Sequence, residues 1–246
     1  MELYRRLYDV LNTGKKAALV TITNSSKKEV VGGKILVDDS GIIKVGEMSR
    51  EVFKVAKELA QEVFAKNTPF SLEKRVCDGL DVEFFVETIA PAPKAILFGG
   101  GHVSFAVAEM LNRVGFSITI VDDRSEFASK ERFPFADKIL CCSFQEAIQS
   151  LEIDGNTYVI IMTRGHLHDY ECLAGVLNSE AKYIGMIGSR RKVKLLKERL
   201  NKEGFTEERI SSIYAPIGLD IGAETPEEIA ISIVAELIAI RRGKFK

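Results

Sequence analysis

Five short apolar runs recur through the second part of the chain: AILF (95–98), SITIVD (117–122), KILCC (138–142), TYVIIMT (157–163) and KYIGMIG (182–188). Helical periodicity separates them, and nothing else in the sequence restricts the fold so strongly. The runs are short and β-branched, the pattern of strands buried on both faces. After the first, Val103, Ala106, Val107, Met110, Leu111 and Val114 fall at the spacing of one helix face. A last helix opens at TPEE, with Thr225 as cap, Pro226 at the first helical position and Glu228 completing a capping box. Its Ile229, Ile233, Val234 and Leu237 are expected to pack on a sheet. Repeated β–α units predict the α/β class, as a Rossmann-like doubly wound parallel sheet. In a 3-2-1-4-5 strand order, the first and fourth strands flank the switch point where ligands bind beyond the carboxyl ends.

The texture changes at APAPK (90–94), where two prolines in four residues deny a continuous helix or central strand. This segment reads as a linker between residues 1–90 and 91–246. The first part predicts a smaller α+β domain. It has a helix over 2–12, strands over 17–23, 32–37, 41–47 and 80–89, and a helix over 49–66 with Val52, Ala56, Leu59 and Val63 on one face. A net charge of -1 gives no pull toward nucleic acid or membrane. No apolar run reaches the roughly 18 residues that span a bilayer. The first residues, MELYRRLYDVLNTGKK, lack a signal-peptide core, so a cytoplasmic location is expected. Cys77, Cys141, Cys142 and Cys172 read as reduced, mostly buried thiols.

Chemistry is expected at the loops after the strands. Gly99-x-Gly101-x-x-Ser104 fits the dinucleotide fingerprint at two of its three glycines, with a helix opening at His102 and Val103 to receive phosphate. The next strand ends at Asp122, 23 residues beyond Gly99, placed to bond a ribose; Arg124 is placed to meet a phosphate instead. All three histidines fall on neighbouring loops, His102 after the first strand and His166 and His168 after the fourth, beside Arg164 and Asp169. They are expected to converge on one crevice. In GMIGSRRKVK, Gly188 precedes Ser189 as a helix cap. Arg190, Arg191 and Lys192 then crowd the first turn against the helix dipole, which implies a compensating anion. Asp220 and Glu224 in APIGLDIGAETPEE bind polar ligand groups or cap turns. Each feature also has a structural reading: a turn that binds nothing, histidines as loop or cap residues, a solvated basic face.

The stretches FGGGHVS (98–104), VDDRSEF (121–127), MTRGHLHD (162–169), YIGMIGSRRK (183–192) and APIGLDIGAETPEEIAISIVAE (215–236) resemble, in order, the xanthine dehydrogenase accessory factor family (XdhC/CoxI). The last two are the most specific. The resemblance implies a chaperone for the molybdenum cofactor, molybdopterin. Such a protein holds the cofactor while a cysteine desulfurase exchanges an oxo ligand for sulfur. It then delivers it to a molybdenum hydroxylase such as xanthine dehydrogenase, and works as a homodimer. The first half departs from the family pattern. Where members carry G-G-C-x-E, VGEMSREV (45–52) has no cysteine; where they carry C-G-G, VCDGLDVEF (76–84) places Asp78 between Cys77 and Gly79. Two other readings share the same residues. One is an NAD(P)-dependent oxidoreductase using the fingerprint and Asp122. The other is a metal-dependent hydrolase using His102, His166, His168 and Asp169.

Overall fold

The structure, a computed structural model, describes residues 2–38, 41–43, 48–66 and 68–244, with the backbone alone at 42, 43, 166 and 167. It divides into two compact units, Met1–Pro91 and Ala92–Lys246.

The second unit is the expected α/β fold. Its strands are β6 (Lys94–Phe98), β7 (Ser117–Asp122), β8 (Lys138–Cys141), β9 (Thr157–Ile161) and β10 (Tyr183–Met186). They form one parallel sheet in the order β10-β9-β6-β7-β8, the predicted 3-2-1-4-5 arrangement. Alternation along each strand decides which helix covers it. Ala95 and Leu97 of β6 join Ile118, Ile120, Tyr158 and Ile160 in one core, under α3 (His102–Arg113) and α8 (Pro226–Arg241). Ile96 and Phe98 point the other way, with Val121, Val159 and Ile161, under α4 (Phe144–Ser150), α5 (His166–Val176) and α6 (Arg190–Lys202). A short helix, α7 (Glu207–Ser211), follows α6. Both sheet faces are therefore dry, which is why these strands read as near-continuous apolar runs.

Local signals set the helix starts. Thr225 accepts from the Glu228 amide while the Glu228 carboxylate accepts from the Thr225 amide, with Pro226 at the first position: the predicted capping box. Ser189 caps α6 by accepting from the Lys192 amide. Ser143 caps α4 with a second full capping box, through Glu146.

The first unit holds an antiparallel sheet, ordered β3-β2-β1-β5-β4, of β1 (Ala17–Ser25), β2 (Lys34–Asp38), β3 (Gly41–Ile43), β4 (Phe70–Cys77) and β5 (Leu80–Ile89). Residues 44–47 of the expected third strand lie outside the described residues. Helix α2 (Arg50–Lys66) buries Val52, Ala56, Leu59 and Val63 on one face of the sheet, as its periodicity requires. Helix α1 (Glu2–Asn12) sets Leu3 and Val10 on the other face, against Ala17, Leu19 and Leu36. Strand β4 was not expected from the sequence. It is an edge strand whose Phe70, Leu72 and Val76 stay more than half exposed, so its ladder to β5 holds it rather than burial. Cys77 and Cys172 are buried, but Cys141 is exposed and Cys142 only partly covered, so the thiols are less buried as a set than expected.

Candidate cofactor site

The loops after β6, β7, β9 and β10 meet along one sheet edge, where ion pairs and hydrogen bonds lace them together. At the glycine loop, Gly99 has φ +103° and donates its amide to the Val121 carbonyl at 2.7 Å; an added Cβ would run into the Met162 carbonyl. Gly100 is wedged equally tightly against the Phe127 carbonyl. Gly101 is different: extended, with φ -67°, and with open space where a Cβ would stand.

Asp122 closes this loop from inside. It is 1% exposed and accepts from the Gly100 amide at 2.8 Å, the Arg124 amide at 3.1 Å and the Arg124 guanidinium at 2.9 and 3.1 Å. Burial alone would push its carboxyl up, but the bonds from Arg124 and Gly100 together outweigh it and hold the group below the ordinary carboxylate range. A carboxylate spent in this way is not offered to a ribose, so the expected contact gives way to a structural one. Arg124 is committed too: its guanidinium lies 3.7 Å over the Phe127 ring and pairs with Asp122 rather than facing a phosphate. Arg132 completes the clamp, donating to the Gly100 carbonyl at 2.9 Å.

Helix α3 starts just beyond, with Gly101 as its cap and no side chain capping it. His102 is exposed at its first position, and Val103 packs partly against the sheet core. Ser104, in the third fingerprint position, is buried as close helix–sheet packing demands, its hydroxyl without a partner among the described residues.

The loop after β9 reaches both ways. Arg164 pairs with Asp123 at 2.8 Å, which ties this loop to the end of β7. Asp169 is fully buried, accepts from the Thr163 amide and hydroxyl at 3.2 and 2.6 Å, and forms an ion pair with Lys192 of α6. His166 opens α5 with its backbone alone described. His168 does not turn toward His102. Its Nδ1 lies 3.4 Å from Glu171 and its ring meets the Phe144 edge at 5.4 Å, on the α4–α5 side. Among the described residues, no three histidines, cysteines or carboxylates gather where they could hold a metal ion.

The concavity at this edge lies beside β10. A cavity of about 540 Å³ opens between the turn that starts α6 and the loop that leads into α8. Gly188, Ser189 and Arg190 line one wall; Pro216 to Ala223 line the other, with Ile187, Ile229 and Ser232 behind. Both walls are pinned from inside. The Lys192 side chain, tied to Asp169, runs against Gly188. On the opposite wall the Gly218 amide donates to buried Glu236 at 3.0 Å, and Ser232 Oγ donates to the Leu219 carbonyl at 2.6 Å. Tyr183 also donates to Glu236, at 2.5 Å; burial first, and then the Glu236 charge, push its phenol far up, so it stays a donor. At the mouth Arg190 meets Asp220 at 3.3 Å.

Three of the thirteen candidates, Gly188, Ser189 and Arg190, thus line the cavity; the others build or border the glycine loop and the β9 loop. Lys192, Glu236 and Tyr183 were not among the candidates. Lys192 carried a signal as part of the basic first turn of α6, and Glu236 carried one because it falls three residues after Ile233 and seven after Ile229, on the face that α8 buries.

Comparison with known proteins places this unit. A probable xanthine dehydrogenase subunit of Bacillus subtilis 168 is 31% identical over 158 residues, 64% of this chain and 46% of its own length. The molybdenum cofactor insertion chaperone PaoD of Escherichia coli K12 is 28% identical over 95 residues, 39% of this chain and 30% of its own. The chain spans less than half the length of the curated relatives it matches. A crystal structure described as a xanthine dehydrogenase from Bacillus halodurans superposes with a TM-score of 0.76 at 27% identity, over 99% of this chain and 67% of that one. Residues 95–237 match the XdhC Rossmann domain, and the chain belongs to the XdhC family.

Proposed function

We propose that this protein is an accessory chaperone that binds the molybdenum cofactor and delivers it to a molybdenum hydroxylase such as xanthine dehydrogenase. One observation carries the reading. The cavity beside β10 is built from YIGMIGSRRK and APIGLDIGAE, the two stretches most specific to the family, rather than from the generic glycine fingerprint. The names of the relatives, a cofactor insertion chaperone and a xanthine dehydrogenase component, support it.

The residues present fit the cofactor's chemistry. A volume of about 540 Å³ suits a pterin-sized ligand. Ile187, Ile217, Leu219 and Ile229 offer apolar walls to a flat ring. Ser189 caps a helix whose first amides, at Arg190 and Arg191, point N-terminally, and Arg190 adds a guanidinium; together they suit a phosphate. When bound, the cofactor supplies the molybdenum centre for the client's chemistry. The role of this chain is to hold the pterin, orient it and keep water from it. The same reading includes sulfur exchange by a cysteine desulfurase before release, a homodimer as the working form, and a cytoplasmic setting. A nicotinamide dinucleotide fits less well, because the carboxylate expected to bind its ribose is already saturated by Gly100 and Arg124.

Incubation with molybdopterin followed by size-exclusion chromatography tests the reading. Co-elution, with faster activation of a cofactor-free hydroxylase, is expected. Absence of retention, or micromolar NAD(P)H binding with turnover in its place, argues against it.

A further inference from the structure

We propose that Asp220 is a built-in stand-in for the ligand's phosphate, holding Arg190 across the cavity mouth until an anionic pterin displaces it. This rests on the cofactor-binding reading and deepens it: it names the feature selected, a phosphate monoester, and the residue that sets the selection.

Helix α6 opens with Arg190, Arg191 and Lys192, three cations at the end where the helix dipole is already positive. The chain answers two of them differently. Lys192 is matched by a fully buried carboxylate, Asp169, which also accepts two bonds from Thr163. That pair sits inside the protein. Arg190 is matched by Asp220, but both side chains are almost free of cover, 87% and 86% exposed, and a single contact of 3.3 Å joins them. Among the described residues, Arg191 has no carboxylate partner. Among the described residues, the carboxylate that answers Arg190 at the mouth is therefore loosely held.

Asp220 does not stand there by chance. The loop before it is fixed to α8 at two successive residues, Gly218 through Glu236 and Leu219 through Ser232. On the other side Ser189 fixes the start of α6. Two hydrogen-bonded backbones thus place Asp220 and Arg190 on opposite walls of a cavity that both line. An Arg–carboxylate contact has the same donor geometry as an Arg–phosphate contact, and the phosphate dianion is the stronger acceptor. An exposed pair is worth little, so exchange is easy. A neutral ligand gains nothing from breaking it, and a singly charged one only replaces one weak pair by another. A multiply charged group alone displaces Asp220 with a net gain.

The test uses 6-hydroxymethylpterin and its phosphate monoester as probes, titrated by pterin fluorescence into the full chain, which has no tryptophan to interfere. Wild type is expected to prefer the ester. Asp220→Asn should tighten the ester roughly three- to five-fold, the worth of one exposed ion pair, and leave the alcohol within two-fold. Arg190→Ala should abolish the ester's advantage. Unchanged melting temperatures in both variants keep the comparison clean. An ester affinity that Asp220→Asn leaves unchanged or weakens, or an equal shift for ester and alcohol, overturns the assignment. Failure of both probes to bind wild type also overturns it, and molybdopterin co-elution run in parallel then decides the wider reading: retention leaves the chaperone function standing without this gate, and loss removes both.

Discussion

The glycine loop after β6 and the cavity beside β10 share one sheet edge, yet they use their polar groups in opposite ways. The glycine loop turns them inward. Asp122, Arg124 and Arg132 all bond Gly100 or one another, and the Phe127 carbonyl lies where a side chain on Gly100 would stand. The cavity walls are pinned from behind by Glu236, Ser232 and Lys192, which leaves Ser189, Arg190 and Asp220 facing the opening. The polar groups around this glycine loop brace the loop itself, while Gly101 stays open. The loops without a generic fingerprint make the concave site.

Substitutions can break this contrast, and the largest effect is expected at Asp122. Asp122→Ala strands the Gly100 amide and the Arg124 guanidinium, and should cost about 3 kcal/mol in chemical denaturation. The surviving folded fraction should still bind cofactor, because the cavity does not include this residue. Next comes Glu236→Gln. It keeps an acceptor for Gly218 and Tyr183 but removes the charge, and should cost about 1–2 kcal/mol while loosening the cavity wall. Hydrogen exchange of the Gly218 amide should rise in this variant more than that of Gly100.

Acid titration sharpens the contrast further. The Asp122 carboxyl is held below its ordinary range in the folded state. Its stabilisation is therefore complete above the unfolded value of about 4 and is lost as pH falls below it. Unfolding free energy followed from pH 5 to pH 2 should fall more steeply in wild type than in Asp122→Asn; parallel curves would contradict the clamp. The smallest effect is expected for Gly101→Ala. The position is extended and open, so stability should change by no more than about 0.5 kcal/mol.

Much of this was legible in advance where periodicity or a cap carried the signal. The five parallel strands and the caps at Ser189 and Thr225 follow from local chemistry that the tertiary structure does not override, and the strand order follows from the topology of doubly wound sheets. Strand β4 was missed because Lys74 interrupts the apolar face of Phe70, Leu72 and Val76, and an edge position leaves that face exposed. The candidate loops were found, but not their partners. The 23-residue spacing from Gly99 to Asp122 is the same whether the carboxylate meets a ribose or the Gly100 amide, and only the fold decides between them. The basic turn of α6 did imply a compensating anion. That the chain supplies two of its own, Asp169 from 23 residues before Lys192 and Asp220 from 30 residues after Arg190, is a long-range fact no local pattern encodes. The expected convergence of the three histidines meets the same limit: Phe144 and Glu171 draw His168 aside, and the side chain of His166 lies outside the described residues.

The most direct measurement is molybdopterin retention by three chains side by side: wild type, Gly101→Ala in the glycine loop, and Ala223→Phe, which fills the cavity from its far wall. Wild type and Gly101→Ala should retain the cofactor equally, and Ala223→Phe should lose it while keeping its melting temperature. Retention by Ala223→Phe together with loss in Gly101→Ala would return the site to the glycine loop and contradict the account.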